Sequence, residues 1–235
     1  MSIILWLLFG ILILFILGGI SFANFSFAQF YDVYKKNKMI CGFCGTAQDL
    51  IEHTSAKYNL NINVEIDNNE LCERYSPFSN TLFISAENAT SNSVSALTIT
   101  AHELGHAIYA KQNPTKTKQY FKKIKPQKFF SLLLPILILS GLVCWLTLPT
   151  VLPSIIIFGF AFLIFLTLIF AKLLTVKFEN TASKIAVEIL VCAGLNKQNL
   201  KHSQKLLKEA KNTYVAGLFR WLLAWTGCIN KINLM

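Results

Sequence analysis

Charged residues are scarce in this sequence. Only 14% of its 235 residues are Asp, Glu, Lys or Arg, whereas 54% are hydrophobic, and the mean hydropathy is +0.49. A water-soluble domain of this length needs more charge to cover its surface. The composition therefore argues against an ordinary soluble globular protein and favours a membrane protein.

Acidic residues are rarer than basic ones. The sequence contains 12 acidic and 22 basic residues, for a net charge of +10. The basic residues do not form a stripe that would bind nucleic acid. They flank the apolar segments instead, with Lys35, Lys36 and Lys38 after the first and a lysine-rich stretch at 111–128 before the second. This distribution is typical of membrane topology and headgroup contact, so the lipid bilayer is the predicted partner and nucleic acid is not.

The six cysteines lack the spacing of a disulfide scaffold, which favours a reducing compartment. Cys41 and Cys44, in CGFCG, resemble half of a zinc knuckle or a redox pair. A knuckle needs a second pair of ligands, and only His53 and Cys72 are nearby. A redox centre of the thioredoxin type needs a βαβ context that is missing. Two reduced thiols are therefore the favoured interpretation.

Three stretches are apolar enough to contact a bilayer. Residues 3–22 carry no charge and are long enough for a spanning helix; a cleaved signal peptide is disfavoured because the basic residues follow this stretch. Residues 129–174 are interrupted only by LPTVLP at 148–153, which predicts a hairpin of two spanning helices. The segment 214–229 is short and contains Arg220, which favours an amphipathic helix at the interface.

The segment between the first span and the hairpin contains soluble-domain patterns. Residues 47–58 have helical periodicity, and 62–66 and 81–85 predict short strands. The strand at 81–85 is a candidate edge strand along which an extended peptide could pair. A further helix is predicted at about 93–112, ending before Pro114.

The most informative stretch is TITAHELGHAIYA at 98–110. In a helix, His102 and His106 point the same way one turn apart, and two such imidazoles supply two corners of a tetrahedral zinc site. Glu103 would face the same cleft and take a proton from zinc-activated water. Gly105 would allow another backbone to approach the helix closely. Because a bare H-E-x-x-H pattern also arises by chance, a third ligand is required.

Three residues are candidates for the third ligand. His53 and His202 have no supporting pattern. Glu179 is favoured, because the hairpin returns the chain to the side that it left, so this carboxylate can reach the zinc without crossing the bilayer. Ser183, one turn later, could hydrogen-bond a ligand. The alternative for Glu179 is a helix-end carboxylate that pairs with a neighbouring lysine.

A family resemblance strengthens this interpretation. The stretches RYSPFSNTLFIS, AHELGHA, FENTAS and KEAKNTYVAGL, together with the apolar hairpin, resemble the YugP-type membrane-embedded neutral zinc metallopeptidases, distant relatives of HtpX-type gluzincins. The resemblance covers most of the chain. It implies His102, His106 and Glu179 as ligands of Zn²⁺ and Glu103 as the general base. The CGFCG stretch is not part of this pattern.

The predicted fold is an α+β membrane protein that is mainly helical, with a small zincin-like domain containing short strands. The positive-inside bias places residues 30–128 and 175 onward in the cytoplasm. The predicted units are a transmembrane anchor at 1–28, the cytoplasmic zincin-like domain at 29–128, the transmembrane hairpin at 129–174 and C-terminal helices with the third ligand at 175–235.

The predicted activity is zinc-dependent hydrolysis of membrane proteins or peptides at the cytoplasmic side of a bacterial inner or plasma membrane. Tyr75, Arg74 and Tyr109 are candidates for stabilising the oxyanion, and the sequence does not choose among them. The alternative is a catalytically silent scaffold or adaptor in which zinc only links the helix at about 93–112 to the hairpin. Replacing Glu103 would distinguish the two.

Overall fold

The computed structural model describes residues 3–41, 45–68 and 73–217. Within these residues the chain is mainly helical and contains a small three-stranded sheet. The elements, in chain order, are α1 (Ile3–Lys38), α2 (Ala47–Tyr58), β1 (Asn63–Asp67), β2 (Arg74–Ser76), β3 (Thr81–Ser85), α3 (Ala86–Ala89), α4 (Val94–Gln112), α5 (Pro114–Ile124), α6 (Gln127–Thr147), α7 (Leu152–Cys192) and α8 (Lys197–Ala216).

The predicted hairpin is formed by α6 and α7. In the described part of the chain, 114–147 and 152–192 are the two helical stretches long and apolar enough to cross a membrane. The predicted proline-containing turn joins the two helices, which pack against each other through Leu134, Ala161 and Leu168. The difference from expectation is that α7 does not end at residue 174. It continues to Cys192, so the predicted returning span and the segment with Glu179 are one helix.

The first apolar stretch lies in α1. This helix continues without a break to Lys38, ten residues beyond residue 28, the predicted end of the anchor. The second half of α1 packs against α8: Phe30 and Leu206 share one cluster, and Ala23 and Ala216 share another. That the first half of α1 crosses a bilayer remains a prediction. The predicted interfacial segment 214–229 lies mostly outside the described residues.

The sheet has the strand order β1-β3-β2. β1 pairs with β3 in parallel, and β2 pairs with β3 antiparallel. Both predicted strands are present, but the interpretation of 81–85 as an edge strand is wrong, because β3 is the central strand. The sequence did not predict β2, since three residues in a polar, turn-rich region carry no readable alternation.

Helix α4 lies at the centre of the packing among the elements outside the hairpin tip. Its N-cap is Ser93, whose side chain accepts a hydrogen bond from Ala96 N–H, and it ends at Gln112 before Asn113-Pro114, as predicted. Its side chains are buried from Val94 to Ile108 on every face, because α1, α2, α7, α8 and the sheet surround it. A helix enclosed in this way holds its polar side chains in fixed positions.

Candidate metal centre

Three polar side chains near the middle of α4 are buried. His102 and Glu103 are each 7% exposed and His106 is 9% exposed. Buried imidazoles and carboxylates need polar partners, because an unpaired charge in an apolar interior is costly. Helix α7 supplies these partners for the two histidines.

Glu179 of α7 lies between the two histidines. Its Oε2 is 3.0 Å from His102 Nε2 and 3.2 Å from His106 Nε2. One ligand atom from each of the three residues lies within 4.8 Å of the others. The fold therefore brings the two histidines and the favoured third residue together. Among the described residues, these three form the one cluster of at least three side chains that could bind a metal ion. His53 and His202 are not members of it.

The close approach of α7 to α4 depends on Gly105. A Cβ atom added at Gly105 would lie 2.5 Å from the carbonyl oxygen of Ala182, three residues after Glu179. Such a distance is far below van der Waals contact, so any larger residue would push the two backbones apart. This is the role that the sequence predicted for the glycine between the two histidines.

The donor set fits a zinc ion. Two imidazole nitrogens and one carboxylate oxygen are ligands that zinc accepts, and a tetrahedral site with bonds of about 2.0–2.1 Å has ligand atoms about 3.3 Å apart. The separations of 3.0 and 3.2 Å are close to that value. Ser183 Oγ lies 3.3 Å from His102 Nδ1, so the other ring nitrogen of this histidine has a partner that can fix the ring orientation.

Glu103 is held apart from this group by strand β2. The backbone N–H of Tyr75 donates a 2.8 Å hydrogen bond to Glu103 Oε2. Burial raises the pKa of Glu103 to about 7, and the negative charge of Glu179 acts in the same direction, while the Tyr75 hydrogen bond opposes them. A carboxyl group with a pKa near neutrality can both accept and release a proton.

Tyr214 of α8 is a site residue that the reasoning from sequence missed. Its hydroxyl donates a hydrogen bond to the Glu179 carboxylate. Burial, followed by the charges of Glu179 and Glu103, raises the pKa of Tyr214 well above its usual value, so the phenol stays protonated and remains a donor. The only signal in the sequence was its place in KEAKNTYVAGL, one of the stretches that carry the resemblance.

The three predicted oxyanion candidates have other contacts. The Tyr75 hydroxyl donates to Asn80 Oδ1 at 2.7 Å. The Arg74 guanidinium lies 4.0 Å from the centre of the Phe83 ring, and the Tyr109 ring packs edge-on against Phe178. Of the cysteines considered for a zinc knuckle, which the sequence disfavoured, Cys41 is exposed, and Cys44 and Cys72 lie outside the described residues.

Comparison with known proteins shows which family the chain belongs to. A family model described as "Putative neutral zinc metallopeptidase" matches residues 5–229, and the chain therefore belongs to that family. The chain is also 27% identical over 202 residues to the "Putative membrane protease YugP" of Bacillus subtilis (strain 168), an alignment that covers 84% of this chain and 85% of that protein. No solved structure matches the chain significantly.

Proposed function

We propose that the protein is a membrane-bound zinc metallopeptidase in which His102, His106 and Glu179 hold the metal. The observation that carries the proposal is the convergence of these three side chains at 3.0–3.2 Å, although 73 or more residues separate Glu179 from the histidines. Zinc, when bound, polarises a peptide carbonyl and lowers the pKa of a coordinated water to about 7.

Glu103 is the proposed general base and acid. Its carboxylate accepts the proton of the attacking water as the oxygen adds to the peptide carbonyl carbon. It then gives that proton to the amine nitrogen as the C–N bond breaks. The Tyr75 N–H orients the carboxylate for both transfers. Ser183 and Tyr214 orient His102 and Glu179 through the hydrogen bonds described above.

The proposed location is the cytoplasmic side of a bacterial inner or plasma membrane, with the substrate a membrane protein or peptide. Two features support it: α7 passes without a break from the apolar hairpin to Glu179, and the lysines lie on both flanks of the hairpin rather than at its tip. In this arrangement the metal centre lies within a few helical turns of the bilayer surface.

Removal of the metal should test the proposal directly. We expect a zinc chelator to abolish peptide hydrolysis by the detergent-purified full-length chain, and stoichiometric Zn²⁺ to restore it, because the three ligands position both metal and water. The measurement is cleavage of a mixed peptide library, read by mass spectrometry. Hydrolysis that persists in the chelated, zinc-free protein would contradict the proposal.

A further inference from the structure

A series of aromatic side chains begins at the metal centre. The ring of Phe178, the residue before Glu179, stacks on the His106 imidazole with centroids 5.0 Å apart and 23° between the planes. Tyr120 of α5 stacks on Phe178 at 4.1 Å, and Phe121 meets Phe178 edge-on at 6.1 Å. The neighbour of one metal ligand is therefore part of an extended aromatic contact between α5 and α7.

The same series ends in the turn that follows β2, the strand that hydrogen-bonds the proposed general base. Phe78 lies in the turn between β2 and β3 and packs edge-on against Phe121, with centroids 5.2 Å apart. Three residues before Phe78, Tyr75 donates its N–H to Glu103. The contacts thus lead from Glu103 through the β2 turn and α5 back to His106. We call the aromatic residues in this path the aromatic surface: Phe78, Tyr120, Phe121 and Phe178.

The aromatic surface is not simply part of the core. Phe78 is 78% exposed, and Tyr120, Phe121 and Phe178 are only partly buried. Covering an exposed phenylalanine removes its apolar surface from water, so an occupant that covers it has a driving force to bind. None of the four side chains is charged. The surface therefore favours an apolar group and penalises a charged one, which would lose its hydration without a partner.

We propose that the aromatic surface is the subsite that receives a large apolar side chain, such as leucine or phenylalanine, next to the peptide bond cleaved at the metal centre. This inference rests on the proposed peptidase function. Phe121 lies just before α6 and Phe178 just after the predicted hairpin, so the subsite lies at the predicted bilayer boundary. The substrate class is an extended segment that flanks a membrane-spanning helix and carries such a residue.

The experiment compares the wild type with Phe78→Ser, a change at an exposed position that leaves the core intact. Ile66→Ser is the matched control, because Ile66 is also exposed, at 61%, on β1 at the opposite edge of the sheet. Two peptide sets differ only in carrying leucine or asparagine next to the scissile bond. We expect the wild type to prefer leucine at least about tenfold in kcat/KM, Phe78→Ser to lose most of that preference, and Ile66→Ser to keep it.

A binding measurement separates the subsite from the chemistry. Fluorescent versions of both peptides are titrated onto the uncleaving Glu103→Gln protein, with and without Phe78→Ser. Tighter binding of the leucine peptide that depends on Phe78 supports the subsite, even if no peptide is turned over. A wild type that cleaves no peptide at all contradicts the peptidase function instead.

Two results would overturn the inference. One is equal binding and equal cleavage of the leucine and asparagine peptides by the wild type. The other is a Phe78→Ser protein that keeps the leucine preference but binds lipid vesicles more weakly, since Phe78 would then contact the bilayer rather than the substrate.

Discussion

Replacing Glu103 with glutamine should lower peptide hydrolysis by about 10²- to 10⁴-fold, the usual contribution of a general acid–base, while one zinc ion stays bound. Glutamine has nearly the same shape, and its amide oxygen can still accept the hydrogen bond from Tyr75 N–H. It cannot take a proton from water. Because Glu103 is not among the three proposed metal ligands, metal content should not change.

The measurement is kcat/KM on a cleavable peptide together with zinc per protein chain. Glu65→Gln, an exposed substitution on β1, is the control and should leave both values at the wild-type level. Full activity in Glu103→Gln would contradict the assigned role. If the wild type also binds zinc but hydrolyses nothing, the scaffold alternative would be favoured over the peptidase.

Replacing Gly105 with alanine should destroy the metal centre without touching a ligand. The added Cβ would lie 2.5 Å from the carbonyl oxygen of Ala182, so α7 has to move away from α4. Overpacking of this kind typically costs about 1–3 kcal/mol of folding free energy. The shift also carries Glu179, which is one helical turn from Ala182, away from both histidines. We therefore expect zinc binding to weaken by at least about 10-fold, with hydrolysis lost in parallel.

Gly159→Ala in α7 is the matched control, because a Cβ there meets nothing within 4 Å. Zinc affinity is measured by competition with a chelator, and stability by thermal unfolding in detergent. If Gly105→Ala binds zinc as tightly as Gly159→Ala does, the close contact between α4 and α7 is not what places Glu179.

Much of the site could be predicted because it depends on local patterns. The apolar spacing of α4 predicted a helix, and the offset of four places His102 and His106 on one side of it. The lysines and the hairpin predict the side of the membrane on which Glu179 lies. Helical geometry and the cost of burying charge are enough to predict these features without the tertiary structure.

The parts that sequence reasoning missed depend on contacts between distant segments. β2 is too short to show periodicity, yet it supplies the hydrogen bond to Glu103. Tyr214 reaches Glu179 only because α8 packs between α1 and α7. The aromatic surface unites a turn, α5 and α7, which have no common pattern. In each case the contact depends on how distant segments pack against each other, and the sequence pattern of one segment does not show this.

X-ray absorption at the zinc edge of the purified wild-type protein identifies the atoms that bind the metal. We expect one zinc per chain with only nitrogen and oxygen neighbours at about 2.0–2.2 Å, and outer scattering from two imidazole rings. Sulfur neighbours at about 2.3 Å would place the metal at the cysteines instead. That result, or a protein that binds no zinc, would contradict a centre built from His102, His106 and Glu179.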